Sequence, residues 1–192
     1  MDFQHVNVKL LVQAPESFDL EPLIPVFHRW IQGQVCEELL LDIADYRHVP
    51  EGPGIVLIGH QADYSVDNTN GRLGVRYNRK APLDGSNQDR LKQATCSALK
   101  AFQKLEAEAA LAGKLRFNGH DVELFINDRL LAPNREETHR ALDGEFRRLF
   151  DKLFRANDYV MSYDADPRRL LGLSVKSARS FSVADLINNL AS

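Results

Sequence analysis

Residues 62–80 read ADYSVDNTNGRLGVRYNRK, and their alternation decides the fold class. Ala62, Tyr64 and Val66 share one face of an extended segment, and Leu73, Val75 and Tyr77 share one face of the next. Two alternating segments around Asn68-Thr69-Asn70-Gly71 spell an antiparallel hairpin. The apolar sides coincide in either of two registers. One has a four-residue loop, which sets Asp67 opposite Arg72 and Asp63 opposite Arg76; the other has a tight Asn70-Gly71 turn.

Similar patterns flank this hairpin. Val6, Val8, Leu10 and Val12 alternate with polar neighbours over residues 5–13, so a half-buried strand is expected there. Leu23, Phe27, Trp30 and Ile31 form a helical stripe over residues 23–32, with Pro22 and Pro25 at its start and Gly33 at its end. Residues 39–46 read as a strand with Leu39, Leu41 and Ile43 on one face. Residues 55–58 form a continuous apolar run, the mark of a strand covered on both sides.

Downstream, Ser86 and Asp89 open a long helix over residues 87–111 with a capping box. Asn118-Gly119, the preferred type I′ pair, predicts a hairpin of residues 114–117 with 120–126; it sets Leu115 against Val122, Arg116 against Asp121 and Lys114 against Glu123. Asn134 and Glu137 cap a helix over residues 134–156 with an aromatic stripe at Phe146, Phe150 and Phe154. A last hairpin, 159–163 with 171–176, turns through Pro167, and a short helix spans 182–190.

Hairpins outnumber forced parallel crossovers. The reading is therefore an α+β chain, with an antiparallel or mixed sheet packed against three main helices and a short C-terminal one. It is read as one compact domain over residues 1–192, within which residues 1–86 and 114–192 resemble two α+β halves joined by the 87–111 helix. A hydrophobic content of 44% with 27% charged residues excludes a disordered chain. A net charge of −3 argues against nucleic acid as a partner. No apolar run approaches the roughly 20 residues of a membrane span. No secretory signal opens the sequence, and Cys36 and Cys96 have no metal or disulfide spacing, so a cytoplasmic protein with two reduced thiols is expected.

Candidate chemistry concentrates in residues 60–80. Arg72, Arg76 and Lys80 share a face, with Gly74 opening space between the first two. Long cationic side chains over a glycine suit a carboxylate or phosphate. Arg79 joins them only where the strand ends or twists. His60 and Asp63 are the nearest acid–base candidates, but on a regular strand they point to opposite faces, and a shared metal would require a bulge at Gly59. A solvated ladder of Asp67–Arg72 and Asp63–Arg76 pairs is the simpler account of the same charges. No phosphate loop, nucleophile elbow, dinucleotide fingerprint or zinc motif is present, and Asp63, Asp67 and Asn68 do not form a calcium loop. No cofactor and no metal are expected.

Two functions follow as expectations. The first is a binding or scaffold protein, homo-oligomeric (a homodimer in its simplest form) through the aromatic stripe of residues 146–154 or the stripe Val183, Leu186, Ile187 and Leu190. The second is a small enzyme or ligand-binding protein acting on an anionic metabolite through Arg72, Arg76, Arg79 and Lys80, with His60 or Asp63 as acid or base. Whether the chain is an enzyme is left open by the sequence.

Overall fold

A computed structural model describes residues 1–13, 18–111 and 113–192. Its strands are β1 (Val6–Val12), β2 (Leu40–Tyr46), β3 (Gly54–Gly59), β4 (Ala62–Asp67), β5 (Gly74–Arg79), β6 (Phe117–Ile126), β7 (Tyr159–Tyr163) and β8 (Leu171–Ser177). Its helices are α1 (Leu23–Gly33), α2 (Asn87–Glu106), α3 (Glu136–Phe154) and α4 (Val183–Ala191). All eight strands form one sheet in the order β2-β3-β4-β5-β1-β6-β8-β7, and every pairing is antiparallel. The α+β architecture with three main helices and a short C-terminal one is thus as read from the sequence, and the sheet is antiparallel throughout.

Register places the core. Val8 on β1 lies opposite Tyr77 on one side and Leu124 on the other, and Leu10 lies between Val75 and Val122. These rows continue to Tyr64 and Leu57, to Val66 and Ile55, and to Leu173 and Val175. All are buried. α2 lies on β1 and β5, α1 lies on β2 and β3, and α4 packs against α2 and α3. Each large apolar side chain buried here stabilises the fold by about 1.5–3 kcal/mol relative to exposure.

Capping boxes fix two helix starts: Ser86 with Asp89 opens α2, and Ser182 with Asp185 opens α4. In each, the serine hydroxyl takes the aspartate backbone N–H and the carboxylate returns the bond to the serine N–H.

Several local expectations are corrected. The first hairpin adopts the register of the tight-turn alternative, with Asp67 facing Gly74 and Ser65 facing Arg76; a 3-10 turn over Thr69–Gly71 closes it. Asn118-Gly119 does not turn a hairpin. β6 continues through it, because pairing with β1 at Phe117 and Val122–Ile126 and with β8 at Asp121–Ile126 outweighs a four-residue local partner. The Asn118 Oδ1 accepts from the backbone N–H groups of His120 and Asp121 at 3.0 and 2.9 Å, and Gly119 takes φ 87°, so the dipeptide makes a bulge beside the register shift opposite Val12. α3 begins after Arg135, not Asn134, and α2 ends at Glu106. On β2, Leu40 is the inward residue, and Leu39 and Leu41 are exposed, owing to an irregularity in its pairing with β3. Within the apolar run of β3, Ile55 and Leu57 are fully covered, while Val56 and Ile58 are half-buried on the face without helices.

Both stripes proposed for subunit contact are spent inside the chain. Phe146, Phe150 and Phe154 are fully buried and meet Phe3, Tyr159 and Phe181. Val183, Leu186 and Leu190 are buried where α4 docks, and Ile187 is half-buried against the same core.

Candidate ligand-binding cleft

Helices cover one face of the sheet, and charge occupies the other. Reading across the strands from β4 to β7, one row runs Ser65, Arg76, Lys9, Glu123, Ser174, Ser162. The row beside it contains Asp67, Gly74 and Leu11. Arg76 and Lys9 are therefore direct cross-strand partners of like charge, an arrangement that is destabilising unless anions attend it.

Asp67 attends both. Its Oδ1 accepts from Lys9 Nζ at 2.5 Å, its Oδ2 lies 3.5 Å from Arg76 Nη1, and each side chain of the Lys9–Asp67 pair is only 1% exposed. The Thr69 N–H and hydroxyl complete the Asp67 shell at 3.0 Å each. Gly74 is what lets Lys9 reach across β5. A Cβ there would stand 2.9 Å from Lys9 Cγ and Cε and 2.7 Å from the Leu10 carbonyl. Burial alone would raise the Asp67 pKa, but the Lys9 and Arg76 charges hold it below the usual carboxylate range. Burial pulls Lys9 below the usual ammonium range, against the opposing pull of Asp67.

The two cations keep unused donors. Among the described residues, Lys9 Nζ makes one hydrogen bond, to Asp67. The Arg76 guanidinium sits over the Phe125 ring at 5.1 Å. With the Asn7 amide oxygen turned towards it, Nη2 donates at 3.0 Å, while Nε is buried without an acceptor. A buried donor left unmet costs about 1–3 kcal/mol, so this arrangement is not optimised for holding Asp67 alone.

Loops raise walls around this floor to form a cleft of about 240 Å³. Lys9, Arg76, Arg129, Arg168 and Arg169 line it, against the carboxylates Asp67, Glu123 and Asp164. Arg169 ties the two loops together, pairing with Asp164 at 3.2 Å and donating to Asn70 Oδ1 at 2.8 Å. Arg129 makes no ion pair among the described residues. Buried Asn134 holds the turn between β7 and β8, donating to the Asp164 and Asp166 carbonyls at 3.0 and 2.8 Å. Its amide oxygen lies 2.7 Å from His139 Nε2, which must therefore carry the proton. Asn134 is thus a clamp on the cleft wall and not a helix cap.

The residues singled out in the sequence separate. Arg76 lines the cleft floor. Arg72 lines an adjoining compartment, where it pairs with Glu123 at 2.7 Å. Lys80 pairs with Asp63 at 2.7 Å and donates to the Gly59 carbonyl at 2.6 Å. Arg79, at the strand end, donates to the carbonyls of Ala81 and Pro82. His60 is exposed in the turn between β3 and β4 and does not line the cleft. The ladder pairs Asp67–Arg72 and Asp63–Arg76 do not form, since the register moves both arginines two residues along.

Sequence reading passed over Lys9, Glu123, Phe125, Arg129, Arg168 and Arg169. For Lys9 a signal existed: a full charge at the midpoint of the first strand, which becomes informative once that strand is central. The three added arginines lie on two loops far apart in sequence, and only the sheet order brings them together.

No group of three or more His, Cys, Asp or Glu side chains able to hold a metal occurs among the described residues. No helix among them is long and apolar enough to cross a membrane. Comparison with known proteins finds no matching family model, no matching curated protein and no matching solved structure.

Proposed function

We propose that this chain binds a small anionic metabolite in the cleft over Lys9 and Arg76. The observation that carries the reading is the pair of cross-strand cations on a nearly dry floor, with one carboxylate between them and donor capacity left over. An incoming oxyanion would satisfy those donors in a low-dielectric setting, where charge-assisted hydrogen bonds are strongest. The arginines of the wall add attraction at longer range and favour entry of negative charge. Binding is the core of the proposal. Any proton transfer would fall to Lys9 and Asp67, because His60 lies outside the cleft and Asp63 is occupied by Lys80.

A thermal-shift screen with inorganic phosphate, sulfate and small carboxylates tests this, run on wild type and on Arg76→Ala. An anion at 100 times its Kd adds about 2.7 kcal/mol of stability. Stabilisation that is lost in Arg76→Ala supports the reading; a flat screen, or stabilisation that survives the substitution, rejects it.

A cytoplasmic setting is supported by the two unpaired thiols, Cys36 and Cys96. Self-association is a separate proposal, now resting on the exposed Leu39 and Leu41 at the β2 edge instead of on the helical stripes. A chain that stays monomeric at high concentration in sedimentation removes it.

A further inference from the structure

The cleft continues. A second compartment of about 190 Å³ shares Asn70, Glu123, Phe125 and Asp164 with the first and extends over β8 and β7. Its chemistry differs. Its one cation, Arg72, is held by Glu123 and donates to Ser174 Oγ at 3.2 Å. Around that pair lie Ser162, Ser174, the Asn70 amide, the Phe125 ring, and Asp164, itself paired with Arg169. Gly172 leaves the floor low: a Cβ there would come within 2.8 Å of the Phe125 ring.

These groups define what can lie there. A carboxylate only accepts, so a ligand that reaches the lone pairs of Glu123 and Asp164 left over from Arg72 and Arg169 must donate. A hydrocarbon chain could rest on Phe125, but it would strip water from both ion pairs and return no hydrogen bond. An ammonium group would donate, but it would sit beside the cations of the first compartment. Hydroxyl groups donate without charge, and they also accept from Ser162, Ser174 and Asn70. The distance is suitable too. Lys9 and Ser174 are two strands apart, roughly 10 Å, a span that a head group and a chain of about five or six carbons can cover.

The geometry points to a polyhydroxylated oxyanion, a sugar phosphate or sugar acid, whose anionic end sits on Lys9 and Arg76 and whose hydroxyls lie along Glu123 and Ser174 towards Ser162. This rests on the anion-binding reading above and adds the substrate class.

Isothermal titration calorimetry on the full chain separates the two. Ribose 5-phosphate is compared with pentyl phosphate and with inorganic phosphate, and gluconate with hexanoate. The expected result is at least tenfold tighter binding of the hydroxylated member of a pair, whichever head group is preferred. That advantage should fall to under threefold in Ser174→Ala combined with Ser162→Ala. Ser162 is exposed and Ser174 half-buried, so the variant should fold, and a wild-type circular dichroism spectrum with a cooperative thermal transition checks that it has. Equal affinity for hydroxylated and unhydroxylated members overturns this inference while leaving the anion site standing. An advantage that persists undiminished in the double variant also overturns it. No binding by any anion overturns both.

Discussion

Lys9 on β1 and Asp67 on β4 meet at 2.5 Å although β5 runs between their strands. The lysine stem crosses β5 at Gly74, which has no side chain to block it. Removing one partner strands the other as a buried charge, which typically costs about 3–5 kcal/mol. Lys9→Met is therefore expected to lower unfolding free energy in urea by that order. The double variant Lys9→Met with Asp67→Leu is expected to recover part of the loss, because no buried carboxylate is left behind, while the partly exposed Arg76 loses its partner. Equal loss in the single and double variants would contradict a paired role.

Gly74→Ala tests the crossing itself. The new methyl meets a backbone carbonyl that cannot swing aside as well as the lysine stem. Overpacking of this kind costs about 1–3 kcal/mol. The expected outcome is a lowered midpoint in urea with an unchanged denaturant slope; wild-type stability would show that Lys9 has another route.

Acid titration reads the same pair. The Asp67 pKa is depressed in the folded chain, its burial being outweighed by Lys9 and Arg76. A depressed folded value means stability that is fully present above the unfolded value of about 3.9 and lost as pH falls through the folded one. Asp67→Asn is therefore expected to destabilise strongly at pH 7 and progressively less below about pH 4. A difference from wild type that stays constant down to pH 2.5 would place the contribution of Asp67 outside its charge.

The C-terminal helix depends on its cap. Only nine residues long, α4 is marginal by itself and is held by docking and by the Ser182–Asp185 box. Ser182→Ala is expected to cost about 1 kcal/mol, with faster amide exchange in α4 than elsewhere. Uniform exchange across the chain would argue against local fraying.

The fold was legible where a pattern needed only its own strand or helix. Alternation in residues 5–13 and 62–80 marks strands, and the Ser86–Asp89 box marks a helix start, although β1 is buried on both faces and not on one, with Asn7 and Lys9 covered as well. The failures share one cause, competition from partners distant in sequence. Asn118-Gly119 is a strong local turn signal, yet β1 and β8 together offer β6 a longer ladder. Asn134 is a natural helix cap, yet two carbonyls of a turn thirty residues on claim its amide. The cleft was legible in part. Arg76 and the gap at Gly74 were readable, but Gly74 accommodates Lys9 instead of parting two arginines, and the register needed to see that was not fixed by parity alone.

Arg76 on β5 and Lys9 on β1 are proposed to hold an anion, whereas Lys80, just beyond the end of β5, is not. The direct measurement is a calorimetric titration of inorganic phosphate into wild type, Arg76→Ala and Lys80→Ala. Lys80 lies on the same polar stretch of sequence but is engaged by Asp63 and Gly59 outside the cleft. At least a tenfold loss of affinity is expected in Arg76→Ala and less than a twofold change in Lys80→Ala. Equal losses in both would reduce the effect to general charge, and no heat in wild type would contradict the site outright.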